Sequence, residues 1–379
     1  MVGWMRIAIN ASFWEQEHTG SGQYLHRLVA KLRELSPHDE FLLLSPAWIT
    51  SSLPLKVITP FDRLSDDLAK LWFEQVAFPR ACQRLGADIA HVPYFAPLLR
   101  PTAPTLVTIH DLIPLLLPAY RGSALVRLYT WLAAQAAHRA DLILTDSYAS
   151  RRDIIRHLGV LSDRVRVVHL AADSAYRPIF QRAQLEDTRR KYDLPRSYLL
   201  YLGGFDQRKN VALLLRAFAR IAADCQAWLV VAGKLPEEDT PFTPDPRRIT
   251  RELDIVERVS FTGWVSEEDK PALYSGARAF LFPSQYEGFG LPPLEAMACG
   301  TPVIGGDRGS LPEVIGEGGI MVPPDDVSAL AEAMSSLWED EALRQDIGKK
   351  ALCQARRFSW DRTARRTLEA YREVLADRP

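Results

Sequence analysis

The chain has 379 residues, of which 47% are hydrophobic and 25% are charged, and its formal net charge is −1. This length is too great for a single hydrophobic core and fits two domains. The composition is that of an ordinary globular protein, and the balanced charge gives no reason to expect nucleic acid as a partner.

The four cysteines, Cys82, Cys225, Cys299 and Cys353, lie far apart and form no CxxC pair or Cys/His cluster. We therefore expect no disulfide framework, no zinc site and a reducing compartment. The first nine residues (MVGWMRIAI) do not resemble a secretory signal, and no apolar run reaches the length of a membrane span. These features predict a cytoplasmic protein without a transmembrane helix.

The first half of the chain alternates short apolar runs with helical patterns. Strands are predicted at residues 6–9, 41–44, 89–92, 105–109, 142–145 and 165–169, and helices at 25–35, 66–85, 123–140 and 147–159. This alternation predicts a doubly wound parallel sheet with a ligand crevice at the carboxyl ends of its strands.

A glycine-containing segment, HTGSGQY at residues 18–24, follows the first predicted strand. Gly20 and Gly22 supply two of the three glycines of the GxGxxG pattern. The segment is therefore either a phosphate-binding loop or a plain tight turn, and the sequence leaves both open.

Between residues 173 and 195 the pattern dissolves, and the charged run at 186–191 predicts a solvated connector. A second α/β series follows it. Its strands are predicted at 198–202, 227–232, 258–263, 279–282, 302–304 and 319–322, and its helices at 210–223, after the Ser266/Asp269 capping box, at 292–300, at 327–338 and from 342 to the end with a break near 358–360. We expect domains at 1–180 and 181–357, and a C-terminal helix at 358–379 that returns to the first domain.

The stretch at residues 284–303 contains two acidic residues, one on a loop and one in a helix. Glu287 lies on a loop after a predicted strand, and Glu295 lies about one turn into the helix that begins at Pro292 and Pro293. Carboxylates bind hydroxyls, whereas free backbone N–H groups and a helix N-terminus bind phosphate. A ligand with both groups, such as a nucleotide sugar, would suit this stretch.

Other polar groups also follow predicted strands: His110-Asp111, residues 203–209 and Gly233-Lys234. Their shared position predicts that they line a crevice. Arg208 and Lys209 stand at the start of a helix, an unfavourable place for cations, which favours a ligand role over a charged first turn.

Each of these residues also has a structural alternative. His110 could be a satisfied core histidine, and the glutamates could be solvated loop residues. Glu74 is expected on an exposed helix face, with a position facing the crevice as the alternative. The basic and apolar stretch at 121–139 is expected to be a crossover helix packed on the sheet, with contact to anionic lipid as the alternative.

Three stretches resemble the retaining glycosyltransferases of family 4, which have the GT-B fold. Residues 286–304 (YEGFGLPPLEAMACGTPVI) resemble the signature of that family, residues 201–210 (YLGGFDQRKN) its phosphate-binding strand and loop, and residues 107–111 (VTIHD) its central His motif. The resemblance spans nearly the whole chain. It implies two Rossmann-like domains facing across a cleft, the first binding the acceptor and the second the nucleotide-sugar donor.

The resemblance also implies roles for the residues of the signature. Glu287 would hold hydroxyls of the donor sugar, and Glu295 would hold the ribose hydroxyls. The backbone of Phe289, Gly290 and Leu291 would contact the sugar and the diphosphate.

Further roles fall outside the signature. Arg208 and Lys209 would neutralise the diphosphate, Arg208 bidentately and Lys209 as a point charge. His110 would lie near the donor sugar or the acceptor hydroxyl. Gly20 and Gly22 would let the backbone approach the phosphates.

The chain departs from the family pattern in two places. Gly204 stands where many members carry a basic residue, so Gly204 would serve the donor only through its backbone and charge compensation rests on Arg208 and Lys209. Residues 169–173 (HLAAD) stand where many members have Asn-Gly. The chain contains no DxD motif, so we expect no metal on the diphosphate.

The expected activity is transfer of a hexose, mannose or similar, from GDP-mannose or a UDP-hexose to a saccharide or lipid-linked acceptor in polysaccharide or glycolipid synthesis, with retained anomeric configuration and no cofactor. Peripheral contact with the inner face of a membrane is left open, and no nucleic-acid partner is expected. The alternatives are a nucleotide-sugar epimerase, a phosphorylase and a non-catalytic nucleotide-sugar binding subunit.

Overall fold

A computed structural model describes residues 4–376, apart from residues 17, 18, 48, 50, 51, 54, 59, 61–65 and 97 and the side chains of residues 66 and 67. His18, the first residue of the predicted glycine segment, lies outside the described residues. Contacts divide the chain into two compact units. The first runs up to Leu170 and resumes at Trp360, and the second is Ala171–Ser359.

Parallel strands form one sheet in each unit. In chain order the strands are β1 (Arg6–Asn10), β2 (Glu40–Pro46), β3 (Leu55–Val57), β4 (Ile89–Val92), β5 (Thr105–Thr108), β6 (Leu142–Thr145), β7 (Val165–Val167), β8 (Leu199–Leu202), β9 (Leu229–Ala232), β10 (Val259–Gly263), β11 (Ala279–Phe282), β12 (Val303–Gly306) and β13 (Gly319–Val322). The first sheet has the order β3-β2-β1-β4-β5-β6-β7 and the second β10-β9-β8-β11-β12-β13.

Helices connect the strands of both sheets. They are α1 (Gly20–Leu35), α2 (Asp66–Trp72), α3 (Phe78–Arg84), α4 (Ile113–Leu116), α5 (Ala124–Ala137), α6 (Tyr148–Asp153), α7 (Arg182–Lys191), α8 (Val211–Ile221), α9 (Pro246–Glu252), α10 (Lys270–Gly276), α11 (Leu291–Ala298), α12 (Leu311–Ile315), α13 (Val327–Glu339), α14 (Glu341–Ala355) and α15 (Trp360–Ala376). π-helical turns occupy Phe73–Ala77, between α2 and α3, and Ile154–Leu158, after α6. Each described helix falls short of the length and apolarity that a membrane span requires.

The predicted α/β class, with two doubly wound parallel sheets, is confirmed. The central strands are apolar on both faces because helices cover them, as parallel sheets require. Every residue of β4, β5, β6, β8, β9 and β11 is buried.

The predicted glycine segment is not a loop. α1 begins at Gly20, so Gly20 and Gly22 lie in its first turn, and the Thr19 side chain caps this turn by accepting from the Gly22 N–H. The prediction was wrong because an N-cap threonine holds the two glycines in helical geometry.

The expected solvated connector contains helix α7. Few residues of α7 are buried or half-buried, so the sequence has no apolar periodicity that would predict this helix. α7 packs against α10, and Lys191 pairs with Asp269 at 2.6 Å. Asp269 also accepts from the Ser266 hydroxyl at 2.6 Å, but α10 begins only at Lys270, so the predicted capping box is instead a turn that precedes the helix.

The first boundary between the units lies at Leu170, ten residues before the expected position at residue 180. Residues 171–180 belong to the second unit because they bond to it. The Ile179 N–H donates to Ser275 Oγ at 3.0 Å, and the Tyr176 hydroxyl donates to Glu267 at 2.9 Å.

The C-terminal helix α15 packs on α1 of the first unit. It buries Ala364, Leu368, Tyr371 and Val374 there. The chain therefore leaves the first unit at Leu170 and returns to it at Trp360.

Candidate active site

The second sheet changes the direction of its strand order between β8 and β11, which are neighbours. In doubly wound sheets, ligands bind outside the carboxyl ends of the strands at such a point. Residues 203–210 follow β8 and residues 283–290 follow β11. Two of the predicted strand-end groups therefore meet at the switch point of the second unit.

Arg208, Lys209 and Glu287 form an ion-pair cluster at this switch point. The Lys209 ammonium donates to Glu287 Oε1 at 2.8 Å, and Arg208 Nη1 lies 2.5 Å from Glu287 Oε2. Arg208 Nη1 also donates to the Tyr286 carbonyl oxygen at 3.0 Å, and Lys209 Nζ lies 4.8 Å from the centre of the Phe282 ring. The side chains of Arg208, Lys209 and Glu287 are only 13%, 14% and 10% exposed. The cluster is therefore rigidly held and largely shielded from water.

Charge keeps Glu287 ionised. Burial acts to raise the pKa of Glu287, but Lys209 and Arg208 outweigh it, and the pKa lies below its usual value. A second carboxylate, Asp206, lies 3.6 Å from Arg208 Nε. Because the two cations already face two carboxylates, an anionic ligand would compete with these carboxylates for them.

The loop that carries Glu287 is fixed by the loop after β12. The Ser310 hydroxyl lies 3.0 Å from the Glu287 carbonyl oxygen and 2.6 Å from that of Phe289, and the Ser310 N–H donates to Glu287 O at 3.2 Å. A Cβ on Gly309, whose φ is +64°, would lie 2.8 Å from Glu287 O. Only glycine lets the two loops approach this closely.

The helix α11 starts directly beyond this loop. Gly290 adopts a φ of +107° before the first helical residue, Leu291, and Phe289 is buried. Pro292 and Pro293 lack an N–H group, so the amides of Gly290 and Leu291 are the donors that the helix start offers to a ligand.

Glu295 lies in α11 but has different neighbours. It is buried, and the Tyr274 hydroxyl donates to its Oε2 at 3.1 Å. Burial raises the pKa of Glu295 to about 7, although Lys270 and the hydroxyls of Tyr274 and Tyr176 lower it. Its carboxylate is therefore partly protonated near neutral pH, unlike that of Glu287.

The glycines after β8 and β9 allow close packing of the strand ends. A Cβ on Gly233 would lie 2.2 Å from the Gly203 carbonyl oxygen. Gly204 is exposed, and its carbonyl oxygen accepts from the Tyr201 hydroxyl. Gly204 thus presents its backbone at the switch point without a side chain.

Lys234, which follows Gly233, lies apart from this cluster of cations. Its side chain is 76% exposed and pairs with Glu237 at 3.2 Å. The structure therefore gives this predicted strand-end lysine a surface ion pair.

In the first unit, His110 follows β5 and pairs with Asp146. His110 Nδ1 lies 2.7 Å from Asp146 Oδ2, and Nε2 lies 3.2 Å from the Pro93 carbonyl oxygen. Burial acts to lower the pKa of His110, but Asp146 outweighs it, and the pKa lies above its usual value. Because both neighbours are acceptors, an imidazolium with two N–H donors satisfies both.

A second histidine of this unit, His91, is a satisfied core residue. His91 is fully buried and bonds to the Tyr371 hydroxyl at 2.8 Å and to Thr108 Oγ1 at 2.9 Å. Burial lowers the pKa of His91 to about 3. His110 is 21% exposed and can meet a ligand.

Sequence reasoning missed Asp146 and misplaced Glu74. Asp146 directly follows β6, so the strand-end rule that selected His110 would also have found it. Glu74 was expected on an exposed face, but it is only 2% exposed and accepts from the hydroxyls of Tyr94 at 2.8 Å and Tyr129 at 3.0 Å. Glu74 lies in the π-helical turn that begins at Phe73, and a sequence pattern does not predict such a turn.

The structure shows no candidate metal centre in the parts of the chain that it describes. No three His, Cys, Asp or Glu side chains come together there in a group that could hold an ion.

Two family models match the chain. Residues 18–176 match the model described as Glycosyltransferase Family 4, and residues 185–352 match the model described as Glycosyl transferases group 1.

Two similar proteins are mannosyltransferases of Escherichia coli. The chain is 36% identical over 270 residues to O-antigen chain mannosyltransferase B, a match that covers 70% of each chain. It is 33% identical over 282 residues to the serotype-specific mannosyltransferase WbdA, covering 72% of this chain and 34% of WbdA. The match thus spans about a third of the length of WbdA.

Solved structures share the fold at low identity. Sucrose-phosphate synthase from Thermosynechococcus elongatus superposes with a TM-score of 0.79 at 22% identity, over 99% of this chain and 100% of that chain. Anabaena Alr3699/HepE in complex with UDP and glucose gives a TM-score of 0.73 at 18% identity, over 97% of this chain and 100% of that chain. Both have the two-domain α/β fold of GT-B glycosyltransferases, which the resemblance predicted for this chain. Together with the family models and the identity to a mannosyltransferase over most of its length, this fold shows that the chain is an enzyme of glycosyltransferase family 4.

Proposed function

We propose that the enzyme transfers a hexose, mannose or similar, from a nucleoside diphosphate sugar to a hydroxyl of a saccharide or lipid-linked acceptor in polysaccharide or glycolipid synthesis. The observation that carries the proposal is the buried Arg208–Lys209–Glu287 cluster at the switch point of the second sheet. It combines cations for a diphosphate with a carboxylate for sugar hydroxyls. The two mannosyltransferase relatives support mannose as the sugar.

The cations of the cluster would assist departure of the leaving group. Arg208 and Lys209 would neutralise the charge that develops on the diphosphate as the bond to the sugar breaks. Glu287, freed from part of its pairing by the phosphates, would accept hydrogen bonds from hydroxyls of the donor sugar. No metal is required in this proposal, because the two side chains act on the diphosphate directly.

Backbone groups would hold the rest of the donor. The amides of Gly290 and Leu291 and the backbone of Phe289 and Gly204 would contact the sugar and the diphosphate. Glu295 would hold the ribose hydroxyls.

Gly20 and Gly22 of the first unit would still contact the phosphates, but with a different local structure. Gly20 and Gly22 open helix α1, so they would approach the phosphates as a helix N-terminus instead of a loop. Thr19 already occupies the Gly22 amide, which leaves the amide of Gly20 and that of the residue between them as donors.

The reaction would retain the anomeric configuration. A donor phosphate oxygen on the face of the leaving group would take the proton of the acceptor hydroxyl, and the hydroxyl would attack from that same face. His110, held by Asp146, would contact the donor sugar or the acceptor hydroxyl. The membership of the family favours transfer over the epimerase, phosphorylase and binding-only alternatives.

The test is a panel of nucleotide sugars, with GDP-mannose and the UDP-hexoses, incubated with methyl α-D-mannopyranoside as acceptor. We expect nucleoside diphosphate and a new glycoside whose anomeric proton, seen by NMR, has the configuration of the donor. An inverted product would contradict the retaining mechanism. Failure of every donor to yield a glycoside would contradict the proposed activity.

We also propose that helix α5 contacts an anionic membrane surface, at the cytoplasmic face. α5 buries only small residues, whereas Leu125, Val126, Leu128 and Trp131 are 58%, 43%, 52% and 56% exposed. A cavity of about 360 Å³ beside them is lined by Arg121, Arg127, His138 and His157, among others. Exposed apolar groups next to cations are typical of interfacial helices.

Sedimentation with vesicles tests this contact. The wild-type enzyme should sediment with vesicles that contain phosphatidylglycerol and not with pure phosphatidylcholine. Replacing Leu125 and Leu128 by serine should abolish binding, whereas Leu161→Ser, which removes another exposed leucine of the first unit, should not. Equal binding of the double variant would contradict the contact.

A further inference from the structure

The first sheet also has a switch point, and it holds a second polar cluster. Its strand order reverses between β1 and β4. Asn10 ends β1, and Tyr94 lies two residues beyond β4. The Asn10 amide donates to the Tyr94 hydroxyl at 2.9 Å, which in turn donates to Glu74 Oε1. By the rule that placed the Arg208–Lys209–Glu287 cluster, a ligand site of the first unit is expected at this point.

Lys70 lies at the mouth of this cluster, enclosed by aromatic rings. Its ammonium is 5.0 Å from the centre of the Tyr129 ring, 5.7 Å from that of Tyr94 and 5.8 Å from that of Phe13. Lys70 is half-buried, so one side of it meets solvent. Three rings within about 6 Å hold the ammonium in place without using its N–H donors.

Lys70 and Glu74 are four residues apart but do not form an ion pair. In a regular helix this spacing would bring the two side chains together. Here Glu74 instead accepts from the hydroxyls of Tyr94 and Tyr129, at the start of the π-helical turn Phe73–Ala77. Within the described residues the structure records no acceptor for the Lys70 ammonium, and Glu74 Oε2 receives only the Tyr129 hydroxyl, at 3.1 Å. The Lys70 ammonium therefore meets solvent with unused N–H donors, whereas the Glu74 carboxylate lies buried behind it.

The balance of charge decides which ligand fits. One cation and one carboxylate leave no net charge, so a phosphate group would meet as much repulsion as attraction. A sugar hydroxyl suits the ammonium better, because it accepts a hydrogen bond without bringing a charge of its own. The aromatic rings offer an apolar surface to the C–H face of a sugar ring.

We propose that Lys70 and the rings of Phe13, Tyr94 and Tyr129 form a pyranose-binding site, where the terminal sugar of the acceptor is held by a hydroxyl that accepts from Lys70. Glu74, held by the hydroxyls of Tyr94 and Tyr129, lies behind Lys70 and balances its charge. The inference rests on the proposed function in that it identifies the bound sugar as the acceptor.

Calorimetric titration of methyl α-D-mannopyranoside into the enzyme tests the site without requiring turnover. The wild type should bind it saturably, and Lys70→Met should weaken the affinity by about tenfold or more, as expected when a charged hydrogen bond is lost. Lys56→Met, which replaces an exposed lysine of the same unit, should bind as the wild type does. The affinity for nucleoside diphosphate should be the same in all three proteins, which places the loss in the sugar site.

Tyr129→Phe provides a second variant that keeps the packing of the ring. It removes the hydroxyl bonds to Glu74 and should weaken binding of the mannoside less than Lys70→Met does. Absence of saturable binding by the wild type, or equal affinity of the wild type and Lys70→Met, would overturn the site. If the mannoside binds through Lys70 but no nucleotide sugar supports transfer, the sugar site stands and the proposed function fails.

Discussion

Glu287 and Glu295 belong to one stretch of chain, yet their surroundings move their pKa values in opposite directions. Glu287 faces Lys209 and Arg208, and these charges overcome the effect of burial. Glu295 is buried among tyrosine hydroxyls, so burial dominates and raises its pKa to about 7. Two carboxylates with different protonation at neutral pH suit different hydrogen bonds, because an ionised carboxylate only accepts whereas a protonated one can also donate.

The stability of the enzyme should therefore depend on pH through Glu295. Its folded pKa lies above the unfolded value of 4.5, so the protonated side chain stabilises the fold and this contribution is lost as pH rises to about 7. A shift of this size corresponds to about 3 kcal/mol. The side chain of Glu295→Gln carries no charge. The free energy of unfolding of this variant should therefore lose no such contribution as pH rises to about 7.

Urea denaturation at about pH 5 and about pH 8 measures this effect. The free energy of unfolding of Glu295→Gln relative to the wild type should increase between the two pH values. A difference that stays constant with pH would show that Glu295 is not buried as described.

Some site residues could be predicted from the sequence and others could not. Glu287, Arg208 and Lys209 were found because each follows a strand, and strand ends fix position in a doubly wound sheet. The pairing of Glu287 with both cations was not predicted, since it joins loops 78 residues apart. The burial of Glu74 was not predicted, because it depends on the hydroxyls of Tyr94 and Tyr129, which lie 20 and 55 residues away in the sequence.

Among the elements, the loops after β11 and β12 have the most demanding geometry. Gly309 sits against the backbone of Glu287, with a hypothetical Cβ 2.8 Å from its carbonyl oxygen and 3.0 Å from its nitrogen. Movement of one loop therefore moves the acid that faces Lys209.

Replacing Gly309 should show how much stability is lost because a Cβ meets the facing loop, as distinct from the loss caused by a positive φ. Gly309→Ala should destabilise the fold by about 1–3 kcal/mol more than Gly263→Ala, because a Cβ at Gly309 meets backbone atoms. Gly263 is a matched control: its φ of +68° resembles the +64° of Gly309, but a Cβ there has no heavy atom within 4 Å. Denaturation with urea gives both values, and equal losses would contradict the close-packing account.

The main elements were predictable because their patterns are strong. Helix α13 shows the apolar spacing of an amphipathic helix, and β8, β9 and β11 are short apolar runs typical of buried strands. Helix α7 was missed because it is almost wholly polar, and β3 and α12 because they span three and five residues. These elements depend more on contacts with the rest of their unit than on an apolar pattern of their own.

At the scale of the molecule, the two ends of the chain complete the same unit. α15 packs on α1, and the Tyr371 hydroxyl bonds to the buried His91 at 2.8 Å. The core of the first unit therefore remains incomplete until the last residues of the chain have been added.

A chain that ends at Ser359 should show this dependence. Loss of α15 exposes the apolar surface of the first unit and leaves His91 without Tyr371, so amides of β4 and β5 should exchange with solvent much faster. Those of β8 and β9 in the second unit should stay protected. Hydrogen exchange measures both sets, and continued protection of β4 and β5 would contradict the role of α15. The substitution Tyr371→Phe, which keeps the helix, should cost only about 1 kcal/mol.

The central claim is that the Arg208–Lys209–Glu287 cluster acts on the diphosphate of a sugar donor. Its most direct test is the turnover number for sugar transfer in Lys209→Ala, compared with Lys234→Ala, which removes an exposed lysine from the end of the neighbouring strand. Loss of one charged contact in the transition state should lower the turnover of Lys209→Ala by about 100-fold, while Lys234→Ala should stay within about twofold of the wild type. Equal turnover of Lys209→Ala and the wild type would contradict the claim.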